Sequence, residues 1–293
     1  MIMIQMAGGM GNQMFMYALY CSLVQMGREA CLEDFTHHDV SGNNSLKKVF
    51  HLSYNSADRK EYNRLTDSYL DIVHKIKRKI LGRKDKIYQE KDAITFEPEI
   101  FSLDDVYLIG YFQSERYFEK IANDLRKDFS FEWNKFPVKA KELRKQMQME
   151  ISVSLHVRRG DYMVGKFAGI YGNLCTDAYY EAARRYMKEH FGDCRFYLFT
   201  DDAEWGRQQE SEDTVYVDAS EGTGAYVDMA LMSCCKHHII ANSSFSWWGA
   251  WLDENPDKTV IAPAKWLNIS EGKDIYAGLC NCLIDANGSV QGE

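Results

Sequence analysis

The segment HVRRGDY, residues 156 to 162, has the residue types of an anion-binding site. It follows Ile151 to Leu155, a run of apolar and small residues that predicts a buried strand. The guanidinium groups of Arg158 and Arg159 stay charged at any working pH and match a phosphate bidentately. The segment therefore predicts a phosphate or diphosphate site. The alternative is a structural ion pair, in which Asp161 neutralises one of the arginines.

A second anion-binding pattern lies closer to the carboxyl end of the chain. The segment Ala241 to Trp251 passes from a predicted strand into a predicted helix. A helix N-terminus presents backbone N–H groups and the positive end of the helix dipole, and serine hydroxyls add further donors. The residues that could hold a phosphate here are Asn242, Ser243, Ser244 and Phe245. The alternative is plain N-capping by one serine, and we interpret the tryptophans that follow mainly as core residues.

The first strand of the chain is followed by the glycine-rich segment GGMGNQ, residues 8 to 13. Its glycines permit a tight turn and close backbone approach to a ligand before a helix predicted over 13 to 26. Glu33 or Asp34, roughly 20 residues further on, could hold a ribose as in a dinucleotide-binding fold. Met14 occupies the position of the third glycine of that fingerprint, so a turn without any ligand stays open as well.

Two acidic residues, Asp201 and Asp202, follow another predicted strand. They could cap the helix that begins near Ala203, or they could accept hydrogen bonds from a base or ribose. A metal site is less favoured, because no histidine stands beside them at metal-ligand spacing.

The elements that must position these residues alternate between strand and helix, which predicts a doubly wound, mainly parallel sheet. Ligands of such sheets bind at the carboxyl ends of the strands, and every motif above follows a strand. We place a domain boundary in the polar stretch 129 to 150, which gives domains 1–145 and 146–293. Two anion-binding strand ends in one sheet would converge on one diphosphate. Because no P-loop or kinase motif is present, a nucleotide-sugar is favoured over phosphoryl transfer.

The composition narrows the class further. The chain has 293 residues and a formal net charge of −8, which gives no reason to expect nucleic acid as a partner. The eight cysteines form no metal-binding or disulfide pattern, and no apolar run is long enough to span a membrane. These features favour a cytoplasmic protein. A basic run from Lys75 to Lys86 predicts a solvated helix face or, alternatively, contact with an anionic lipid surface.

Four segments together resemble the family 11 glycosyltransferases, the α-1,2-fucosyltransferases. They are GGMGNQMF at 8–15, HVRRGDY at 156–162, FTDD at 199–202 and DMALMSCCKHHIIANSSFSWWGAWL at 228–252. The resemblance implies a GT-B-like α/β fold with two Rossmann-like domains facing across a cleft. It also implies inverting transfer of L-fucose from GDP-β-L-fucose to the 2-hydroxyl of a β-galactoside, in surface polysaccharide or oligosaccharide synthesis, with no cofactor and no essential metal.

The resemblance also implies roles for single residues. Arg158 would contact the β-phosphate, His156 would position the nucleotide, and Asp201, or Asp202 in its place, would contact the guanosine. The diphosphate would be held by Asn242, Ser243, Ser244 and Phe245. Asn12 would lie at the reaction centre in an acceptor-side loop with Gly9, Gly11 and Gln13, and Asp161 would be a carboxylate near the acceptor.

For the protein as a whole, the resemblance implies a bacterial enzyme in the cytoplasm, with peripheral contact to a membrane that carries lipid-linked glycan. The first domain would bind the acceptor and the second GDP-fucose. Two other functions stay open from the residues alone: a dinucleotide-dependent oxidoreductase, and a nucleotide- or glycan-binding module without turnover.

Overall fold

A computed structural model of the chain describes residues 1–37, 46–160, 165–219 and 224–291. The chain divides into two compact units, Met1–Asp128 and Phe129–Glu293. Each unit has its own sheet and its own buried core. Among the described residues, no helix is long and apolar enough to cross a bilayer.

The first unit is built on parallel strands. They are β1 (Ile2–Gln5), β2 (Ala30–Glu33), β3 (Ile87–Gln89) and β4 (Val106–Ile109), in the spatial order β2-β1-β4-β3. The helices are α1 (Met10–Gln25), α2 (Leu46–Val49), α3 (Arg59–Thr66), α4 (Ile72–Leu81) and α5 (Ala122–Asp128), with 3₁₀ helices at Pro98–Ser102, Glu115–Tyr117 and Glu119–Ile121. The central strand β1 is apolar and buried, as expected for a strand covered on both faces.

The second unit is built on a larger sheet. Its strands are β5 (Ile151–Val157), β6 (Cys194–Thr200), β7 (Thr214–Tyr216), β8 (His237–Ile239), β9 (Val260–Pro263), β10 (Cys282–Ile284) and β11 (Val290–Gln291), in the order β11-β10-β9-β8-β5-β6-β7. Its helices are α6 (Val138–Met149), α7 (Gly165–Tyr171), α8 (Asp177–Phe191), α9 (Ala203–Gln208), α10 (Tyr226–Met232) and α11 (Ser244–Trp251), with a 3₁₀ helix at Trp133–Lys135. The ladders are parallel except for β10 with β11.

The order of strands in this sheet creates a topological switch point. From β5 the chain adds β6 and β7 on one side, and it then crosses to add β8, β9 and β10 on the other. The carboxyl ends of β5 and β8 therefore lie side by side where ligands bind in doubly wound sheets. The predicted α/β class, with two Rossmann-like units as in a GT-B-like fold, is confirmed.

The division between the units falls after Asp128, earlier than the boundary predicted between residues 145 and 146. The reason is the packing of α6, whose buried residues Ala140, Leu143 and Met147 share a core cluster with Tyr197 of β6. Most of the remaining α6 positions are polar, and the two apolar ones, Val138 and Met149, are exposed, so the helix gives little sign in the sequence of which core it joins.

Several local predictions need correction. The first helix begins at Met10, not at 13, so that Gly11, Asn12 and Gln13 lie in its first turn instead of in a loop. The residue pattern from 114 to 127 favours one helix, but the structure has two 3₁₀ turns and the short α5 there. In contrast, Trp247, Trp248 and Trp251 are fully buried core residues, as predicted.

Candidate functional site

The loop after β5 is held by Asp201, the first residue after β6. Its Oδ1 accepts a hydrogen bond from the backbone N–H of Arg159 (2.9 Å), and its Oδ2 accepts one from the N–H of Gly160 (3.1 Å). The Arg158 Nη1 lies 3.3 Å from the same carboxylate. A Cβ on Gly160 would lie 2.6 Å from Asp201 Oδ2, so glycine is needed for this close approach. Asp201 therefore shapes the loop, and the guanosine contact expected for it stays a prediction.

Arg159 has the structural role that the sequence left open for one of the two arginines. Its Nε donates to Asp202 Oδ2 at 3.2 Å, and its guanidinium lies 4.7 Å from the centre of the Trp205 ring. Asp202 also caps α9 by accepting a hydrogen bond from the Trp205 N–H at 3.0 Å. The N-cap interpretation of this acid is confirmed, and Arg159 is fixed to the same helix start.

The two predicted anion-binding segments meet at the switch point. The ring of His156, on β5, lies 5.8 Å from the ring of Phe245, in the first turn of α11. The backbone carbonyl of His156 accepts a hydrogen bond from the Tyr180 hydroxyl at 3.0 Å, which fixes the end of the strand. The described part of the first segment, residues 156 to 160, and NSSFS thus lie together at the carboxyl edge of the sheet, as expected from two neighbouring parallel strands.

Three buried polar atoms of this unit, His156 Nδ1, Asp228 Oδ1 and Arg144 Nε, have no hydrogen-bond partner among the described residues. Such atoms are rare in proteins and indicate a ligand or a water. Burial, and then the charge of Arg158, lowers the pKa of His156 to about 3, so the imidazole is neutral at physiological pH. Burial, and then the charge of Asp218, raises the pKa of Asp228 to about 7.

Asp228 lies in the first turn of α10, the helix that follows β7 in the chain. Burial, and then the charges of Asp218 and Asp228 among others, raises the pKa of Tyr216, the last residue of that strand. The sequence did not single out Asp228, although it begins the last of the four family segments. The sequence feature that could have pointed to Asp228 is its place as an acid in the first turn of an otherwise apolar helix, α10.

The predicted phosphate-binding residues at the start of α11 differ in the contacts of their side chains. The Asn242 side chain donates to the carbonyls of Tyr171 and Trp266, both at 3.1 Å, so this residue holds the surrounding loops. Ser243 occupies the N-cap, but its side chain accepts no capping hydrogen bond. N-capping therefore does not explain the serine at position 243. That Ser243, Ser244 and Phe245 bind an anion stays a prediction.

In the first unit, the glycine-rich segment positions Asn12. Gly8 has a φ of +73°, and a Cβ there would lie 2.6 Å from Asn12 Nδ2. Asn12 Oδ1 accepts a hydrogen bond from Gln113 Nε2 at 2.9 Å. The buried Gln13 donates to the Gly8 carbonyl at 2.9 Å and thereby fixes the turn. Gly9, the N-cap residue, is the exposed member of the predicted acceptor-side set.

The two acids that could hold a dinucleotide ribose accept hydrogen bonds from groups of the protein itself. Glu33 is fully buried and accepts hydrogen bonds from the N–H groups of Phe35 (2.9 Å) and Thr36 (2.8 Å). Asp34 Oδ2 accepts from the hydroxyls of Tyr54 (3.0 Å) and Ser56 (3.2 Å). These contacts remove the feature on which the oxidoreductase alternative depended.

A cavity of about 680 Å³ opens at the opposite edge of the second sheet, where β5 and β6 begin. Its basic residues pair with acids of the same lining, Lys188 with Asp213 at 2.5 Å and Arg195 with Glu150 at 3.8 Å. None of the predicted site residues lines it, and we assign it no role. Within the described ranges, no group of three or more His, Cys, Asp or Glu side chains could hold a metal ion. Asp161 lies outside those ranges, and its role stays a prediction.

The sequence profile of Glycosyl transferase family 11 matches residues 1–276. The chain belongs to glycosyltransferase family 11. This family 11 protein is 34% identical over 290 residues to an α-1,2-colitosyltransferase of Escherichia coli, across 92% of this chain and 93% of that one. It is 42% identical over 117 residues to the O-antigen biosynthesis glycosyltransferase WbnK of Escherichia coli, across 39% of each chain.

A more distant relative of this family 11 protein is the mouse galactoside α-(1,2)-fucosyltransferase 1, 26% identical across 84% of this chain and 61% of that one. A solved structure of Arabidopsis thaliana FUT1 in complex with GDP covers 88% of the chain and 69% of its own, with a TM-score of 0.45 and 10% identity. Membership of the family makes the protein a glycosyltransferase, in place of an oxidoreductase or a binding module without turnover.

Proposed function

We propose that this protein is an inverting α-1,2-fucosyltransferase that moves L-fucose from GDP-β-L-fucose to the 2-hydroxyl of a β-galactoside, in surface polysaccharide or oligosaccharide synthesis. The observation that carries the proposal is the meeting of His156, Arg158 and Phe245 at the switch point of the second sheet. The α-1,2 linkage is supported by the names of the bacterial and mouse relatives.

In this reaction the bond between the sugar anomeric carbon and the β-phosphate oxygen breaks while the acceptor oxygen forms a bond on the opposite face. Negative charge develops on the departing diphosphate. Arg158 would bind this charge with a rigid fork of N–H donors, an interaction that strengthens as the leaving group departs. Ser243, Ser244 and Phe245 would hold the same diphosphate at the start of α11, where the helix dipole favours an anion.

In our proposal Asp228, in place of Asp201, is the residue that recognises the nucleotide base. Guanine presents two neighbouring donors, N1–H and N2–H, and a carboxylate accepts from both. The buried, unpartnered Oδ1 of Asp228 fits this role, whereas both oxygens of Asp201 accept backbone N–H bonds. His156 Nδ1, which is also buried without a hydrogen-bond partner among the described residues, would bind a polar group of the nucleotide.

Asn12 is our candidate from the first unit for the reaction centre, supported by its fixed position on Gln113. A side-chain amide has no useful basicity, so Asn12 would orient an acceptor or donor hydroxyl instead of removing its proton. We therefore expect an oxocarbenium-like path in which departure of GDP runs ahead of attack. Asp161 stays the proposed carboxylate near the acceptor.

Colitose is a second candidate for the transferred sugar, favoured by the 34% identity to the colitosyltransferase over nearly the whole chain. Colitose is L-fucose without its 3-hydroxyl group. The two donors therefore test whether the site binds that hydroxyl. A site built to hydrogen-bond a hydroxyl discriminates strongly against the analogue that lacks it, because its own polar groups are left unpaired.

The test is a comparison of GDP-fucose and GDP-colitose with a soluble β-galactoside, reading GDP release and the product linkage by NMR. We expect an α-1,2-linked fucoside and a kcat/KM for GDP-fucose at least about tenfold above that for GDP-colitose. The reverse order would assign the enzyme to colitose. Turnover with neither donor, together with a thermal shift by NADPH alone, would contradict the proposal as a whole.

A further inference from the structure

Helix α4 carries a stripe of apolar side chains on its outer surface. The stripe consists of Ile72, Val73, Ile76 and Ile80, which share one face of a helix because three of them are spaced four residues apart. They are 73, 72, 54 and 74% exposed, and no residue of α4 is buried. A surface helix of a globular protein normally turns such a stripe toward the core.

The polar side of α4 is the side that contacts the protein. Arg78 donates to the backbone carbonyls of Asp67 (2.6 Å) and Tyr69 (2.7 Å). His74 stacks on Tyr69, with 4.2 Å between ring centres, and its Nδ1 lies 2.7 Å from an Asp71 oxygen. Because these contacts fix the rotation of the helix about its axis, the apolar stripe on the opposite side faces outward.

The charges around the stripe identify its partner. Lys75, Lys77 and Lys79 are exposed on α4, and the helix contains no acid. The acids closest in sequence are engaged: Asp71 caps the helix, and Asp85 lies 3.3 Å from Arg83. An outward apolar stripe with lysines on both sides is the pattern of a helix that lies in the interface of an anionic membrane.

We propose that α4 is a docking helix for an anionic lipid bilayer, with the stripe inserted among the acyl chains and the lysines at the phosphate level. A second copy of the chain is a poorer partner. A two-fold contact through the stripe would bring the lysines of both copies together without an acid on either helix to oppose them. Docking would hold the enzyme beside acceptors attached to lipid, but it depends on neither the donor nor the acceptor.

The experiment is vesicle flotation of the full chain, with phosphatidylcholine alone or with about one third phosphatidylglycerol. The wild type should float with the anionic vesicles, more weakly when NaCl is raised from about 0.15 M to about 0.5 M. Each exposed lysine contributes about fivefold to the partition coefficient. The double variant Ile76→Asp with Ile80→Asp should lose at least about tenfold in partition, since it removes two inserted side chains and adds negative charge.

The matched control is Val138→Asp with Ile269→Asp, which changes two equally exposed apolar residues of the second unit, at 69 and 72%. It should float like the wild type, and both double variants should turn over a soluble acceptor at the wild-type rate. Equal loss in the control, or flotation that is the same with neutral vesicles, would overturn the proposal. So would a wild-type dimer, measured by light scattering, that Ile76→Asp with Ile80→Asp converts to a monomer.

Discussion

At the scale of single residues, the two adjacent arginines have different tasks. Arg159 is fixed between Asp202 and the face of Trp205, whereas Arg158 forms a partly exposed ion pair with Asp201, with 3.3 Å between the Nη1 and Oδ2 atoms. A pair of this kind contributes roughly 0 to 1 kcal/mol to stability. The ion pair with Asp201 would therefore cost little to exchange for a phosphate at Arg158, while Arg159 maintains the start of α9.

We expect Arg158→Ala to lower kcat/KM by about 100- to 1,000-fold, because it removes the donor fork at the leaving group. Arg158→Lys should recover little, since a point charge does not reproduce bidentate binding. The control is Arg159→Ala, which should lose stability in urea unfolding but keep most of its activity. Near wild-type kcat/KM in Arg158→Ala would remove this residue from the mechanism.

The ionisation of Asp228 predicts a pH dependence of nucleotide binding. Because burial raises the pKa of this acid to about 7, its proton stabilises the folded state at low pH, and that contribution is lost as the pH rises through 7. Guanine requires the ionised form, so the affinity for GDP should increase by about tenfold between about pH 6 and about pH 8.

Isothermal titration calorimetry of wild type and Asp228→Asn would measure this dependence. Subtracting the variant's profile removes the titration of GDP itself, which both proteins share. We expect the variant to bind GDP more weakly above pH 7 and to lack the increase with pH. Identical profiles for the two proteins would show that Asp228 does not contact the base.

At the scale of elements, a buried polar relay joins the strands of the site. Ser154 Oγ of β5 lies 2.8 Å from Nδ1 of His238 on β8, and His238 Nε2 lies 3.0 Å from Asp253 Oδ2, after α11. The residue types match a hydrolytic triad, but Ser154 is buried in mid-strand and His238 is inaccessible. The relay therefore fixes β5, β8 and α11 relative to each other, and with them the residues of the switch point.

We expect Asp253→Ala to lower the free energy of unfolding by about 1 to 3 kcal/mol, because it leaves a buried imidazole nitrogen without a partner. The neighbouring Glu254→Ala, at an exposed position, is the matched control and should change it little. Urea unfolding followed by tryptophan fluorescence would measure both. Equal stability of the two variants would mean that the His238–Asp253 contact does not hold these elements together.

At the scale of the whole molecule, our proposal concerns the positive charge that stabilises the departing diphosphate. The chain itself supplies this charge, in place of a metal ion. Arg158 and the N-terminus of α11 face the diphosphate, and the acids that resembled a metal site, Asp201 and Asp202, are engaged with a loop and a helix start. We therefore expect fucosyl transfer at the full rate in excess EDTA. A strict requirement for Mn²⁺ or Mg²⁺, restored by adding the ion back, would return Asp201 to the role of a ligand.

Much of the second unit could be predicted from the sequence because its elements are short, apolar and clearly separated. The buried strands around β5, the cap of α8 by Thr176 and the core tryptophans all follow from local residue patterns. The first unit was harder, since β3 has only three residues and stands beside helices rich in charge. The breaks in the stretch 114–127 depend on tertiary packing, which local helix propensity does not reflect.

The sequence by itself indicated the type of chemistry: arginine at a strand end, serines at a helix start and glycines before Asn12 predict an anionic ligand held by backbone and guanidinium groups. The tertiary structure decided which contacts each residue of a pair makes within the protein. Arg158 and Arg159, or Asp201 and Asp228, are alike in type and differ only in their partners, and partners are set by contacts between residues far apart in the chain. For the same reason the apolar side of α4 faces outward: its helical period is visible in the sequence, but the bonds of Arg78 choose its direction.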